Sequence, residues 1–246
     1  MEAWVEAAAA RFWEAAAGTE PFPRGLDGSV SLALPVTVTR LPGLSTSVVR
    51  RWLLRHVPRL DSWEWGERRE RGLHACLAAF DGRGFILLDS EDPPDEQRYS
   101  LAHEAAHFML DYQRPREQVA RRLGPVRLAV LDGRRSPTEE ERLDAALAGL
   151  KLEAHVHLME RGPRGIEQAA VAESEQNADR LALELLAPWR EATAVLPDTD
   201  GTAERVRHGA QALATTFGLP EAAARSYAQE LIDARDGPPS WRAWLR

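Results

Sequence analysis

Residues 72–112 constrain this chain more than any other stretch. Two short apolar runs, Leu73-His-Ala-Cys-Leu-Ala-Ala-Phe80 and Phe85-Ile-Leu-Leu88, flank Asp81-Gly-Arg-Gly84, which is the turn chemistry of a β-hairpin. Acidic, proline-containing Glu91-Asp-Pro-Pro-Asp-Glu96 ends that pattern. Tyr99, Leu101, Ala102, Phe108, Met109 and Leu110 then mark a buried helix over about 96–112. A hairpin beside such a helix predicts an α+β fold with a small, mostly antiparallel sheet.

The flanks add to this frame. Trp4, Ala8, Phe12 and Ala16 fall on one helical face with Val5, Ala9 and Trp13 beside them, a stripe that Gly18 stops. A connector with Pro21, Pro23, Gly25 and Gly28 follows, then Leu34-Pro-Val-Thr-Val-Thr39 in period-2 alternation, ended by Pro42-Gly43. Thr46 is placed to cap a short helix bearing Val49, Trp52 and Leu53. Downstream, Ser136-Pro-Thr-Glu139 reads as a capping box, and Lys151-Leu-Glu-Ala-His-Val-His-Leu158 alternates as a strand with His155 and His157 on one face. A helix-rich block runs from near Ile166 to Pro188, and two more helices are expected near 202–216 and 220–235. These readings divide the chain into a domain over 1–190 and a helical C-terminal region over 191–246, packed on that domain or continuing it.

Composition sets outer limits. With 246 residues, 44% of them hydrophobic, the chain can bury a sizeable core. It has no run of eighteen apolar residues, and its first twenty residues carry acids and Arg11 where a signal peptide needs a clean apolar stretch. Cys76 is the single cysteine, so no intramolecular disulfide can form, and a cytoplasmic location is expected. A net charge of −7 argues against non-specific coating of duplex DNA, although arginines cluster at Arg50 and Arg51, at Arg68, Arg69 and Arg71, and at Arg121 and Arg122.

The expected helix carries His103-Glu-Ala-Ala-His107. Residues four apart share a helical face, so two imidazoles can point at one ion. Glu104 sits about 100° further round, near enough to reach a water beside that ion without displacing it, the position of a general base. The arrangement points to zinc-assisted hydrolysis of a peptide bond with no covalent intermediate. An open zinc site needs a third protein ligand. Candidates are Glu173, Glu175, Glu184 and the pair His155 and His157. Glu175 is favoured because Asp179 lies one helical turn beyond it, where a carboxylate can accept the outer N–H of a ligating histidine. Glu-x-x-x-Asp on a second helix is the gluzincin arrangement. Tyr99, Tyr112, His155 and His157 are each placed to donate to a developing oxyanion, and the residues alone do not choose among them.

Arg98-Tyr-Ser-Leu-Ala-His-Glu-Ala-Ala-His-Phe108 and Glu175-Gln-Asn-Ala-Asp-Arg-Leu-Ala-Leu-Glu-Leu-Leu-Ala-Pro188 together resemble the ImmA/IrrE family of zinc peptidases, also described as the IrrE N-terminal-like domain. The resemblance implies Zn2+ as cofactor and site-specific cleavage of a helix-turn-helix repressor in a DNA-damage, stress or anti-phage response. The interval between His107 and Glu175 is longer than compact members need, which implies an insertion over about 114–165.

Two regulatory expectations follow. Cys76 shares a strand face with His74, Ala78 and Phe80, and its thiolate in zinc's fourth position would exclude the catalytic water. Single-stranded DNA is a possible activator, with Trp63 and Trp65 near Arg68 and Arg69 as its contact. Against the peptidase stand a zinc-containing sensor that controls a transcription factor by binding alone, and a metalloenzyme acting on a non-peptide amide.

Overall fold

The computed structural model describes residues 2–57, 70–124, 128–132, 134–142, 155–161, 169–198 and 201–236. Trp63, Trp65, Arg68 and Arg69 lie outside them, as do residues 151–154 of the expected strand. The described elements are α1 (Ala3–Ala15), α2 (Leu26–Ala33), β1 (Val36–Leu41), α3 (Thr46–His56), β2 (Leu73–Phe80), β3 (Arg83–Asp89) and α4 (Pro94–His107). After α4 come a π-helical turn (Phe108–Gln113), α5 (Arg114–Leu123), α6 (Leu128–Leu131) and β4 (His155–Glu160). The chain then continues through α7 (Ala169–Leu186), α8 (Trp189–Ala194), α9 (Thr202–Phe217) and α10 (Glu221–Asp236).

The fold is α+β, and the described residues form a four-stranded sheet in the order β1-β3-β2-β4. β2 pairs antiparallel with both β3 and β4, while β1 runs parallel to β3, so the sheet is mixed. The hairpin closes through Asp81 and Gly82, both with positive φ, which matches the right-handed twist of the flanking strands. Gly84 is required for packing: a Cβ there would sit 2.9 Å from both the Phe108 ring and a Val36 methyl.

Alternation along β2 separates two cores. Ala75, Leu77 and Ala79 face α4 and join a cluster with Leu101, Ala102, Ala105, Ala106 and Phe108, to which α1, α7, α9 and α10 also contribute. Cys76 and Ala78 face the other way, into a cluster with Leu44, Val49, Leu53 and Leu87 under α3. Each fully buried leucine contributes about 1.5–3 kcal/mol. The C-terminal helices add Leu213, Phe217, Tyr227 and Leu231 to the α4-side core, and the Tyr227 hydroxyl donates to the Ala187 carbonyl at 3.1 Å.

Three local readings are corrected. The connector at 21–28 runs into α2, because Leu26 and Val30, one turn apart, are both buried and offset Gly28's poor helix propensity. Ser45, not Thr46, caps α3 by accepting from the Val48 amide. The capping box lies two residues later than expected: Thr138 Oγ1 accepts from the Glu141 amide at 3.2 Å and Glu141 accepts from the Thr138 amide at 3.0 Å. The stretch 114–165 also contains β4, a strand of the main sheet.

Buried polar groups knit the strand ends together. Asp89, at the end of β3, accepts from the amides of Gly43 (3.1 Å), Leu44 (2.9 Å) and Glu91 (2.9 Å). Arg161, directly after β4, pairs with Asp89 at 2.8 Å and Asp92 at 2.6 Å. Asp92 also holds His74 Nδ1 at 2.8 Å.

Candidate metal centre

α4 lies between the sheet and α7, and its last two turns are buried on every side. His103 and Glu104 are 0% exposed and His107 is 1% exposed, a depth at which polar side chains persist only when partnered. α7 presents Glu175, also buried, to the same point. The Nε2 atoms of His103 and His107 are 3.1 Å apart, and each lies 3.5 Å from an oxygen of Glu175.

The outer nitrogens are held as well. His103 Nδ1 lies 2.9 Å from Asp179 Oδ1, which also accepts from the Tyr99 hydroxyl at 2.9 Å. His107 Nδ1 donates to Asp111 Oδ2 at 2.6 Å, and the Ser174 hydroxyl donates to the same oxygen at 2.7 Å. With each Nδ1 turned to a carboxylate, the tautomer inferred for both rings puts the proton on Nδ1 and the lone pair on Nε2. Two buried lone pairs then face each other beside a carboxylate, an arrangement that a shared cation stabilises.

A zinc ion with Zn–N bonds of 2.0–2.1 Å spaces its tetrahedral donor atoms roughly 3.3–3.4 Å apart. The two imidazole nitrogens are 3.1 Å apart and each is 3.5 Å from a different oxygen of Glu175, close to that spacing. A fourth group borders the same point, since donor atoms of His103, His107, His157 and Glu175 all lie within 4.8 Å of one another. His157 enters from β4, where it pairs with Leu77 and so points to the α4 side of the sheet. Its Nδ1 donates to the Glu104 carboxylate at 3.0 and 3.1 Å, its Nε2 is 2.7 Å from Glu175, and its ring stacks on His107 with centroids 3.8 Å apart.

These contacts set the charges. Burial alone would lower the pKa of His157, but the carboxylates of Glu104 and Glu175 outweigh it and raise the value to about 10. Burial disfavours the ionised form of Glu104, yet His157, His107 and His103 hold it below the usual carboxylate range. Glu175 is likewise desolvated and driven far down by the same three histidines. The carboxylates are ionised at neutral pH, as metal binding requires.

Other candidates take different places. Glu173 is exposed, and Glu184 is buried but accepts from the Trp189 amide at 2.9 Å, capping α8. The Tyr112 hydroxyl accepts from the Gly82 amide at 2.7 Å at the hairpin turn. His155 pairs with Ala79 and faces the same side as His157. The thiolate switch is corrected by strand alternation: Cys76 pairs with Leu87 and Leu158 and points toward α3, on the opposite face from Leu77 and His157. Burial, reinforced by the charge of Glu104, pushes its thiol well above the usual range.

Two histidines from one helix, a carboxylate from a second and a buried glutamate between the histidines in sequence form the layout of a metal-dependent hydrolase. The family model of the IrrE N-terminal-like domain matches residues 60–147 of the chain, which supports a place in the ImmA/IrrE family. That match covers β2, β3 and α4 with His103, Glu104 and His107, and it ends before His157 and Glu175. The family is one of metallopeptidases, with zinc as the implied metal and protein as the implied substrate. Neither the curated proteins nor the solved structures return a match. Among the described residues, no helix is long and apolar enough to cross a membrane.

Proposed function

We propose that the chain is a zinc-dependent endopeptidase in which His103, His107 and Glu175 hold the metal and Glu104 is the general base. The convergence of those three donors beside the Glu104 carboxylate carries this reading. When bound, zinc supplies the Lewis acidity that polarises a peptide carbonyl and acidifies water. Glu104, ionised and buried, accepts the proton of the attacking water and passes it to the departing amine. Asp179 and Asp111 fix the orientation of His103 and His107, so that neither ring turns its lone pair away.

The substrate we propose is a helix-turn-helix repressor cut in a stress, DNA-damage or anti-phage response, with single-stranded DNA as activator. The match of residues 60–147, which include Arg98–Phe108, to the IrrE N-terminal-like domain supports it. The test compares wild type with Glu104→Gln, both loaded with one zinc per chain and incubated with such a repressor. Loss of a general base lowers cleavage by about 10²–10⁴-fold while metal content and folding persist. A Glu104→Gln protein that still relieves repression would identify a non-proteolytic sensor instead.

A further inference from the structure

Three imidazoles at this centre follow one rule. His103 turns Nδ1 to Asp179, His107 turns Nδ1 to Asp111, and His157 turns Nδ1 to Glu104 with its Nε2 2.7 Å from Glu175, where a bound metal ion would displace the Nε2 proton. An outer carboxylate behind an inward-pointing nitrogen is the arrangement of a ligating histidine. His157 therefore has the same orientation as the two ligands on α4, although it arrives from a strand.

Resting on the metallopeptidase reading above, we propose that His157 is a fourth protein ligand that closes the metal centre, and that the enzyme becomes competent only when β4 withdraws it. Catalytic zinc sites keep three protein ligands and one open position, whereas sites with four protein ligands are closed. His157 blocks activity in two ways at once. It fills the position that the substrate carbonyl or the attacking water must take. It also engages both oxygens of Glu104, at 3.0 and 3.1 Å, and so competes with water for the base.

The element bearing this histidine lies at the border of the described sheet. Among the described residues β4 is an edge strand, bonded within the sheet to β2 alone, and every residue from His155 to Met159 is partly exposed. Its end is fixed by Arg161, through the ion pairs to Asp89 and Asp92. Withdrawal of β4 leaves the β1-β3-β2 core, α4 and α7 in place, and with them His103, His107, Glu175 and the carboxylates behind the two α4 histidines.

Cobalt substitution tests the closure without reference to catalysis. Wild type and His157→Ala, each loaded with one Co2+ per chain, are titrated with acetohydroxamate while the visible absorption of the metal is followed. The wild-type spectrum is expected to resist the hydroxamate, and the variant to respond at roughly tenfold lower concentration or less and to hold cobalt about 10–100-fold more weakly. X-ray absorption of the zinc-loaded wild type, which needs no variant, is expected to show three imidazoles. Equal hydroxamate responses, or two imidazoles in the wild type, overturn the closure and leave the peptidase reading standing. A wild-type protein that binds no metal overturns both.

Discussion

On the α3 side of the sheet, Cys76, Ala78 and Leu87 pack with Leu44, Val49 and Leu53 in an apolar cluster. On the α4 side, the same strand faces a helix that buries His103, Glu104 and His107 just as deeply. The energetic demands differ. The first face gains from burial directly, at about 25 cal/mol per Å² of apolar surface. The second must offset the desolvation of ionised groups, and here it does so by setting histidines against carboxylates around a point suited to a cation. Equal burial with opposite chemistry is what marks the α4 side as the working face.

The largest effect expected from this contrast is on the α4 side. Stripping zinc with a chelator should remove about 4 kcal/mol of unfolding stability relative to protein at a zinc concentration a thousandfold above its Kd. Thermal unfolding with and without chelator measures it, and coincident curves would remove the metal from the account of that face.

A smaller effect separates metal-requiring polar burial from polar burial the fold satisfies itself. Asp89 is desolvated, but the Glu91 and Leu44 amides and Arg161 hold its pKa below the ordinary value. A depressed carboxylate stabilises above its unfolded pKa, near 4, and that contribution is lost as pH falls through the folded value. Asp89→Asn should therefore cost on the order of 3 kcal/mol at pH 6. The gap to wild type should narrow toward pH 3, with or without zinc; a constant gap would show that charge on Asp89 is not what matters.

The smallest effect concerns the α3 side. Cys76→Ser introduces a buried hydroxyl there and should cost about 1–3 kcal/mol in chemical unfolding, with cleavage per folded molecule unchanged. A rise in basal cleavage would restore a thiolate to the centre and break the distinction between the faces.

Much of this frame could be read from the residues because the signals were local. Asp81-Gly82 announces its hairpin, the α1 stripe buries Val5, Ala8, Phe12 and Trp13, and the two C-terminal helices fall near their expected limits. Helix α2 escaped because its support is tertiary: Leu26 and Val30 are helical where they meet the core, not by propensity. Asp111 was within reach, since it lies one turn beyond His107 on a continuing helical path, as Asp179 lies one turn beyond Glu175. His157 was not. Its alternation with His155 shows that the two share a face, but which face depends on the pairing of Leu77 with His157, a register the sequence does not contain. The same register sends Cys76 away from the centre. Strand periodicity is visible in a sequence and strand orientation is not.

The most direct measurement is anomalous diffraction at the zinc edge from crystals of the full chain grown with zinc. The account predicts one peak per chain, bonded to His103 Nε2, His107 Nε2 and Glu175. A peak elsewhere, or no peak at that point in zinc-saturated crystals, would contradict it.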